Sequence, residues 1–182
     1  MHMETTALEG VLVLKPRVFA DDRGSFQETW STRAFVAATG VEVEFVQDNE
    51  SRSGAGVVRG LHFQAPPHAQ GKLVRCSQGR VLDVIVDIRR SAPTFGQHVA
   101  VELTPENGRQ VWIPPGFAHG FASLEDGTVF QYKCTALYAP EFEGDLRWDD
   151  PFLGIDWRVS AARLSPKDEV ATPWSAFQSP FL

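Results

Sequence analysis

The rhythm of turns constrains this chain most. Short runs rich in β-branched and aromatic residues recur at roughly ten-residue spacing, each closed by turn formers, a pattern that predicts an all-β sandwich or barrel. Residues 10–19 read as a strand broken at Pro16, followed by the turn Asp21-Asp22-Arg23-Gly24 and an extended stretch over 25–30. Further strand-like runs cover 43–47, 57–64, 98–103, 110–113 and 128–134. Runs 72–77 and 80–88 flank Gln78-Gly79 and read as a hairpin. One helix interrupts the series. Ser31 is placed to cap TRAFVAAT, and Gly40 to stop it. After residue 140, where Trp148, Trp157 and Trp174 fall, the pattern weakens, so loops and short helices packed on the β core are expected, with a C-terminal tail of about 159–182 over the barrel.

Composition narrows the classes. With 182 residues the chain is expected to be one domain, 1–182, and 43% hydrophobic against 22% charged residues excludes a disordered chain. No repeat of 20–50 residues points to a propeller or solenoid. A net charge of −6 argues against a nucleic-acid partner, while leaving room for one small anion at a local basic cluster. No apolar run approaches the ~20 residues of a membrane span, and no basic segment leads into an apolar one, so no membrane partner and a cytoplasmic location are expected. Cys76 and Cys134 lack CxxC spacing and read as buried reduced thiols.

The chemistry starts at WIPPGFAHGF. Its Pro114-x-Gly116-x-x-His119 resembles a motif of cupins, which are jelly-roll barrels, and in that pattern the histidine points into the barrel. Metal-binding cupins add an earlier H-x-H segment. Here GLHFQ supplies only His62, so no metal is expected, because a metal site needs several matched ligands. The chain has 13 Phe and only two Tyr, Tyr132 and Tyr138, which singles out those two hydroxyls. A histidine sharing a pocket with a tyrosine and a lysine is a candidate base.

The run FVQDNESRSGAGVVRGLHFQAPPHAQGKLVRC, then PTFGQHVAVEL, WIPPGFAHGF and YKCTALYAPEFEGDLRWDDPFLGIDW, strongly resembles the dTDP-4-dehydrorhamnose 3,5-epimerase family over about residues 4–170. The resemblance implies a cupin-like jelly roll with a few peripheral short helices, and a dTDP-4-keto-6-deoxysugar substrate epimerised through an enolate without a cofactor. His62 matches the general base, Asp168 the carboxylate paired with it, and Tyr132 the proton donor. Lys72 and His119 match residues lining the sugar pocket near the keto oxygen. Arg23, Glu28, Gln47, Asp48, Asn49, Arg59, Glu143 and Lys167 match nucleotide- and sugar-binding positions, and Tyr138 the aromatic that stacks on thymine. The departures, Glu50 and Ala136-Leu137, remove no chemical group. The resemblance also implies a homodimer joined through the N-terminal strand, with VLVL at 11–14 as a suitable exposed edge and Arg23 and Glu28 reaching the neighbour's site.

Two residues carry competing readings. Ser165-Pro166-Lys167-Asp168 reads as a helix N-terminus, making Asp168 a capping acid. Period-two alternation puts Arg59 and His62 on opposite faces, so their meeting one substrate requires a bulge, for which Gly60 is the obvious place. Three other functions stay in view: an epimerase acting at C3 or C5 alone, which the residues do not separate from the double epimerase; a non-catalytic sugar-nucleotide-binding barrel, disfavoured by the presence of His62 and Tyr132; and a metal-dependent dioxygenase, disfavoured by the missing ligands.

Overall fold

The computed structural model describes all residues, 1–182. The N-terminal part runs β1 (His2–Thr5), β2 (Leu12–Lys15), β3 (Val18–Asp21), β4 (Gly24–Gln27), α1 (Thr32–Thr39) and β5 (Gln47–Ser53). The central part is β6 (Val58–Gln64), β7 (Lys72–Gln78), β8 (Val81–Asp87), β9 (His98–Leu103) and β10 (Gln110–Ile113). β11 (Phe117–Ser123), β12 (Thr128–Cys134), β13 (Glu143–Asp145) and the short α2 (Pro166–Glu169) complete it. A six-stranded sheet in the order β1-β2-β10-β7-β12-β5 and a five-stranded sheet in the order β13-β6-β11-β8-β9 form the jelly roll, and β3 pairs only with β4. No helix is long and apolar enough to cross a membrane.

Alternation along the strands builds three apolar layers. On β8, Val81 and Ile85 join Val74, Val111, Ile113, Phe121 and Phe130 between the two sheets. Leu82, Val84 and Val86, from the opposite face of β8, pack with Leu146, Leu153 and Trp157, and Trp174, Phe177 and Phe181 of the tail cover that layer. The tail therefore lies along the outer face of the five-stranded sheet, bridging Val57 through Arg163 and Arg89 through Phe181. On the outer face of the six-stranded sheet, Phe35 of α1 packs with Leu14, Leu73 and Trp112. Each such fully buried large apolar side chain contributes roughly 1.5–3 kcal/mol. The helix keeps its expected bounds: the Ser31 hydroxyl accepts from the Ala34 amide, and Gly40 ends it in the left-handed conformation.

Three sequence expectations need correction. The runs at 72–77 and 80–88 do not pair as a hairpin, because the turn between them carries the chain from the six-stranded sheet (β7) to the five-stranded one (β8). The run at 43–47 is not a strand; the strand starts at Gln47 and reads QDNESRS. β5 is an edge strand whose inner side chains are polar, so neither of its faces gives an apolar signal. The segment at 11–14 is not an exposed edge either, because β2 is paired on both sides, by β1 and β10.

Candidate active site

β6 carries the feature that assembles the site. His62 pairs with His119 of β11, but Arg59 pairs with Phe121, so three steps on β6 match two on β11. The extra residue is a β-bulge, and it brings Arg59 and His62 to the same inner face despite their odd spacing. Gly60 permits it. Its φ is +117°, and a Cβ there would stand 2.6 Å from Gly120 Cα and 2.7 Å from the His119 carbonyl oxygen.

His62 is about one-quarter exposed, and its Nε2 lies 2.6 Å from Oδ1 of buried Asp168. The other carboxylate oxygen, Oδ2, accepts from the Ser165 hydroxyl at 2.8 Å, while the Asp168 amide donates back to Ser165 Oγ at 3.2 Å. Asp168 is thus both a first-turn acid of α2 and the partner of His62, and the two readings of it coexist. Burial opposes its charge, but the hydrogen bonds from His62 and Ser165 and the attraction of His62 and Lys167 outweigh burial and lower its pKa. An ionised Asp168 can only accept, so the hydrogen bond keeps a proton on His62 Nε2, and a neutral ring then presents its Nδ1 lone pair.

The facing wall belongs to the six-stranded sheet. Tyr132 of β12 sits on the inner side with Phe130, their rings 6.2 Å apart. Burial raises the Tyr132 pKa, and neighbouring Cys134 adds to the effect, so the phenol keeps its proton. Lys72 of β7 stands with its Nζ 6.0 Å from the centre of the Tyr132 ring. Burial lowers the Lys72 pKa, offset in part by attraction to Cys134, Glu143 and Asp83.

A polar chain rims the mouth. Lys167 Nζ lies 2.6 Å from one Glu143 oxygen, and the Tyr138 hydroxyl donates to the other at 2.8 Å. The Tyr138 amide donates to Gln47 Oε1, and Gln47 Nε2 donates to Asn49 Oδ1. Glu143 is half-buried. Desolvation acts against its charge, but the bonds from Lys167 and Tyr138 prevail and lower its pKa. Arg59 Nε donates to Ser53 Oγ at 3.3 Å.

Three sequence candidates lie elsewhere. Asp48 alternates to the outer face of β5 and pairs with Lys133 at 2.9 Å, beside a groove of about 360 Å³ that holds none of His62, His119 or Asp168. The β3–β4 hairpin carries Arg23, which is bound to Asp21, and leads into exposed Glu28; neither contacts the other candidates within the chain. One partner was missed in the sequence: Asp83, 2.7 Å from His119 Nε2. A signal existed, because an acid at an inner position of VLDVIVD must find a partner.

Fold and site together define a class, an acid–base isomerase on a cupin-like barrel. The family model of dTDP-4-dehydrorhamnose 3,5-epimerase matches residues 5–176, and the chain belongs to that family. It is 55% identical to the dTDP-4-dehydrorhamnose 3,5-epimerase of Pseudomonas aeruginosa, over 92% of this chain and 93% of that one. It is 52% identical to the Salmonella typhimurium enzyme of that name, over 91% of each. Among solved structures, the dTDP-6-deoxy-D-glucose-3,5-epimerase of Legionella pneumophila, in complex with dTDP-4-keto-L-rhamnose, superposes with a TM-score of 0.93 at 44% identity, covering 97% of this chain and 94% of that one.

Proposed function

We propose that the chain is a dTDP-4-dehydrorhamnose 3,5-epimerase, converting dTDP-4-dehydro-6-deoxy-D-glucose to dTDP-4-dehydro-L-rhamnose. One observation carries the reading of the site. His62, held by Asp168 of α2, projects from one sheet and Tyr132 from the other, both into the space between the sheets. Epimerisation beside a ketone needs that arrangement: a base removes the proton from one side of the sugar ring, and an acid returns one from the opposite side.

The C4 ketone acidifies the hydrogens on C3 and C5. His62 Nδ1 takes one of them, and Asp168 stabilises the imidazolium that results. The electron pair moves into an enolate whose oxygen faces Lys72 as preorganised positive charge, with His119 beside it. Tyr132 then protonates the carbon from the other face. No oxidation state changes, so proton-transfer groups suffice. Arg59, Lys167, Glu143, Gln47 and Asn49 hold the sugar and diphosphate, and Tyr138 stacks on the base. Relatives at about half identity over nearly the whole chain, named for the double epimerisation, favour inversion at both carbons over inversion at one.

A homodimer belongs to the same proposal. The β3–β4 hairpin exposes Phe26 by 69% and Phe19 by 51%, and a second copy docked there would carry Arg23 and Glu28 to the neighbouring site. A fully active monomer at micromolar concentration would contradict this part.

The functional test is incubation with dTDP-4-dehydro-6-deoxy-D-glucose in heavy water, with deuterium read at each carbon. Deuterium at both C3 and C5, with inverted product, is expected. Label at one carbon identifies a mono-epimerase, and no label refutes the reading.

A further inference from the structure

Two histidine–carboxylate pairs stand side by side in the barrel, and the reaction as written gives only one of the carboxylates a role. His119 and His62 are register partners on adjacent strands and share the inner face. Behind His119, its Nε2 meets Asp83 Oδ1 at 2.7 Å, and the Asp83 side chain is wholly inaccessible. The second oxygen, Asp83 Oδ2, is buried without any hydrogen-bond partner. This is the reverse of Asp168, whose second oxygen takes the Ser165 hydroxyl.

A carboxylate buried with one neutral N–H and nothing on its other oxygen is poorly compensated; a buried charge persists when an opposite charge meets it. His119 stacks on Phe130, and the titratable groups sharing the inner faces with it are Asp83 on β8, His62 and Arg59 on β6, Lys72 on β7, Tyr132 on β12 and Glu143 on β13. Arg59 donates to Ser53. Glu143 is engaged by Lys167 and Tyr138. His119 is the cationic candidate in direct contact with Asp83.

We infer that Asp83 is a positioning residue for the epimerisation: it holds His119 doubly protonated, with Nδ1–H directed into the cavity, so that His119 and Lys72 together meet the oxygen that turns negative in the enolate. The inference rests on the enolate reading of the site. Its logic is one of charge. A neutral His119 that gives Nε2–H to Asp83 turns an Nδ1 lone pair toward the ligand, and that lone pair repels an enolate oxygen. A protonated ring turns an N–H there instead. Lys72, whose charge burial disfavours, is attracted by Cys134 and Glu143 and, less strongly, by the same Asp83 carboxylate.

The test uses Asp83→Asn, which keeps the shape and removes the charge. At neutral pH, ¹⁵N spectra of the wild-type protein bound to dTDP are expected to show both ring nitrogens of His119 protonated, and those of Asp83→Asn only one. Turnover of the 4-keto sugar nucleotide is expected to fall at least about tenfold, the scale of losing an oxyanion donor, while dTDP, which lacks the keto sugar, binds within about twofold of wild type. Adding Asp83→Asn to His119→Asn is expected to cost little more. A neutral His119 in the wild-type protein overturns the inference even if the variant fails to fold, and so does undiminished turnover in a folded variant. If the wild-type protein leaves the 4-keto sugar unchanged, the functional reading fails instead, and the ring-nitrogen spectra still decide the charge state of His119.

Discussion

The two histidine–carboxylate pairs invite comparison because they share so much. Both histidines point inward from adjacent strands, both spend Nε2 on an aspartate, and the contacts differ by only 0.1 Å. What differs is the other carboxylate oxygen and the access to water. Asp168 is supplied by Ser165 and has Lys167 beside it, and its histidine is 28% exposed. Asp83 has an orphaned oxygen, and its histidine is 8% exposed. A carboxylate already satisfied leaves its histidine free to exchange a proton with a substrate. A carboxylate short of one partner calls for a cation. On the reading proposed above, the same residue pair would serve as an exchanging base at the mouth and as a fixed charge inside, the differences being the Ser165 hydroxyl, Lys167 and access to water.

The largest expected effect removes the ground of the comparison. Gly60→Ala forces a Cβ into the β11 backbone at a φ that side chains rarely adopt, so the bulge that aligns both pairs is lost. A destabilisation of roughly 3 kcal/mol is expected, read from the denaturation midpoint, together with loss of activity. An active protein of wild-type stability would show that β6 tolerates another register.

A smaller effect isolates the mouth pair. Asp168→Asn preserves the helix start, since the Ser165 cap remains, but removes the countercharge of His62. Turnover should fall at least about tenfold, equivalent to roughly 1.4 kcal/mol of barrier, with the folding midpoint nearly unchanged. His62→Asn should mask most of this loss in the double variant. Near-normal turnover with a modest loss of stability would leave Asp168 as a helix-terminal acid alone.

The gentlest probe is pH. Burial lowers the Lys72 pKa, so as pH rises its ammonium loses its proton before an ordinary lysine would, below ~10.4. The Tyr132 pKa is shifted upward, so that phenol keeps its proton through the same window. In a His119→Asn background, where Lys72 alone supplies charge to the enolate oxygen, the alkaline fall in kcat should therefore begin below the usual lysine range and report Lys72. A profile flat through that range would remove Lys72 from the charge-stabilising set.

Much of this was legible in the sequence, and the failures have causes. The strands at 98–103, 110–113 and 128–134 carry apolar inner faces and were readable to the residue. The need for a bulge at Gly60 followed from the odd spacing of Arg59 and His62 once the family resemblance gave both to one substrate. β5 escaped because its inner side chains serve the polar rim rather than the core. The family resemblance assigns Asp48 to the site with Gln47 and Asn49, yet alternation sends the middle residue's side chain to the other face. Asp83 was passed over because its strand reads as core, although an acid inside a core strand always calls for a partner. The contact between His62 and Asp168, 106 residues apart, follows from no local pattern; it was expected through family resemblance and arises from the path of the tail.

The difference between the two pairs is tested most directly by wash-in of solvent deuterium at C3 and C5 of the 4-keto sugar nucleotide, with His62→Asn and His119→Asn measured side by side. His62→Asn removes the base and should suppress exchange at both carbons by roughly 10²–10⁴-fold. His119→Asn removes only stabilising charge, so exchange should slow and still be measurable at both carbons. Exchange near the wild-type rate in His62→Asn, or its complete loss in a folded His119→Asn protein, would contradict the division of labour between the exposed pair and the buried one.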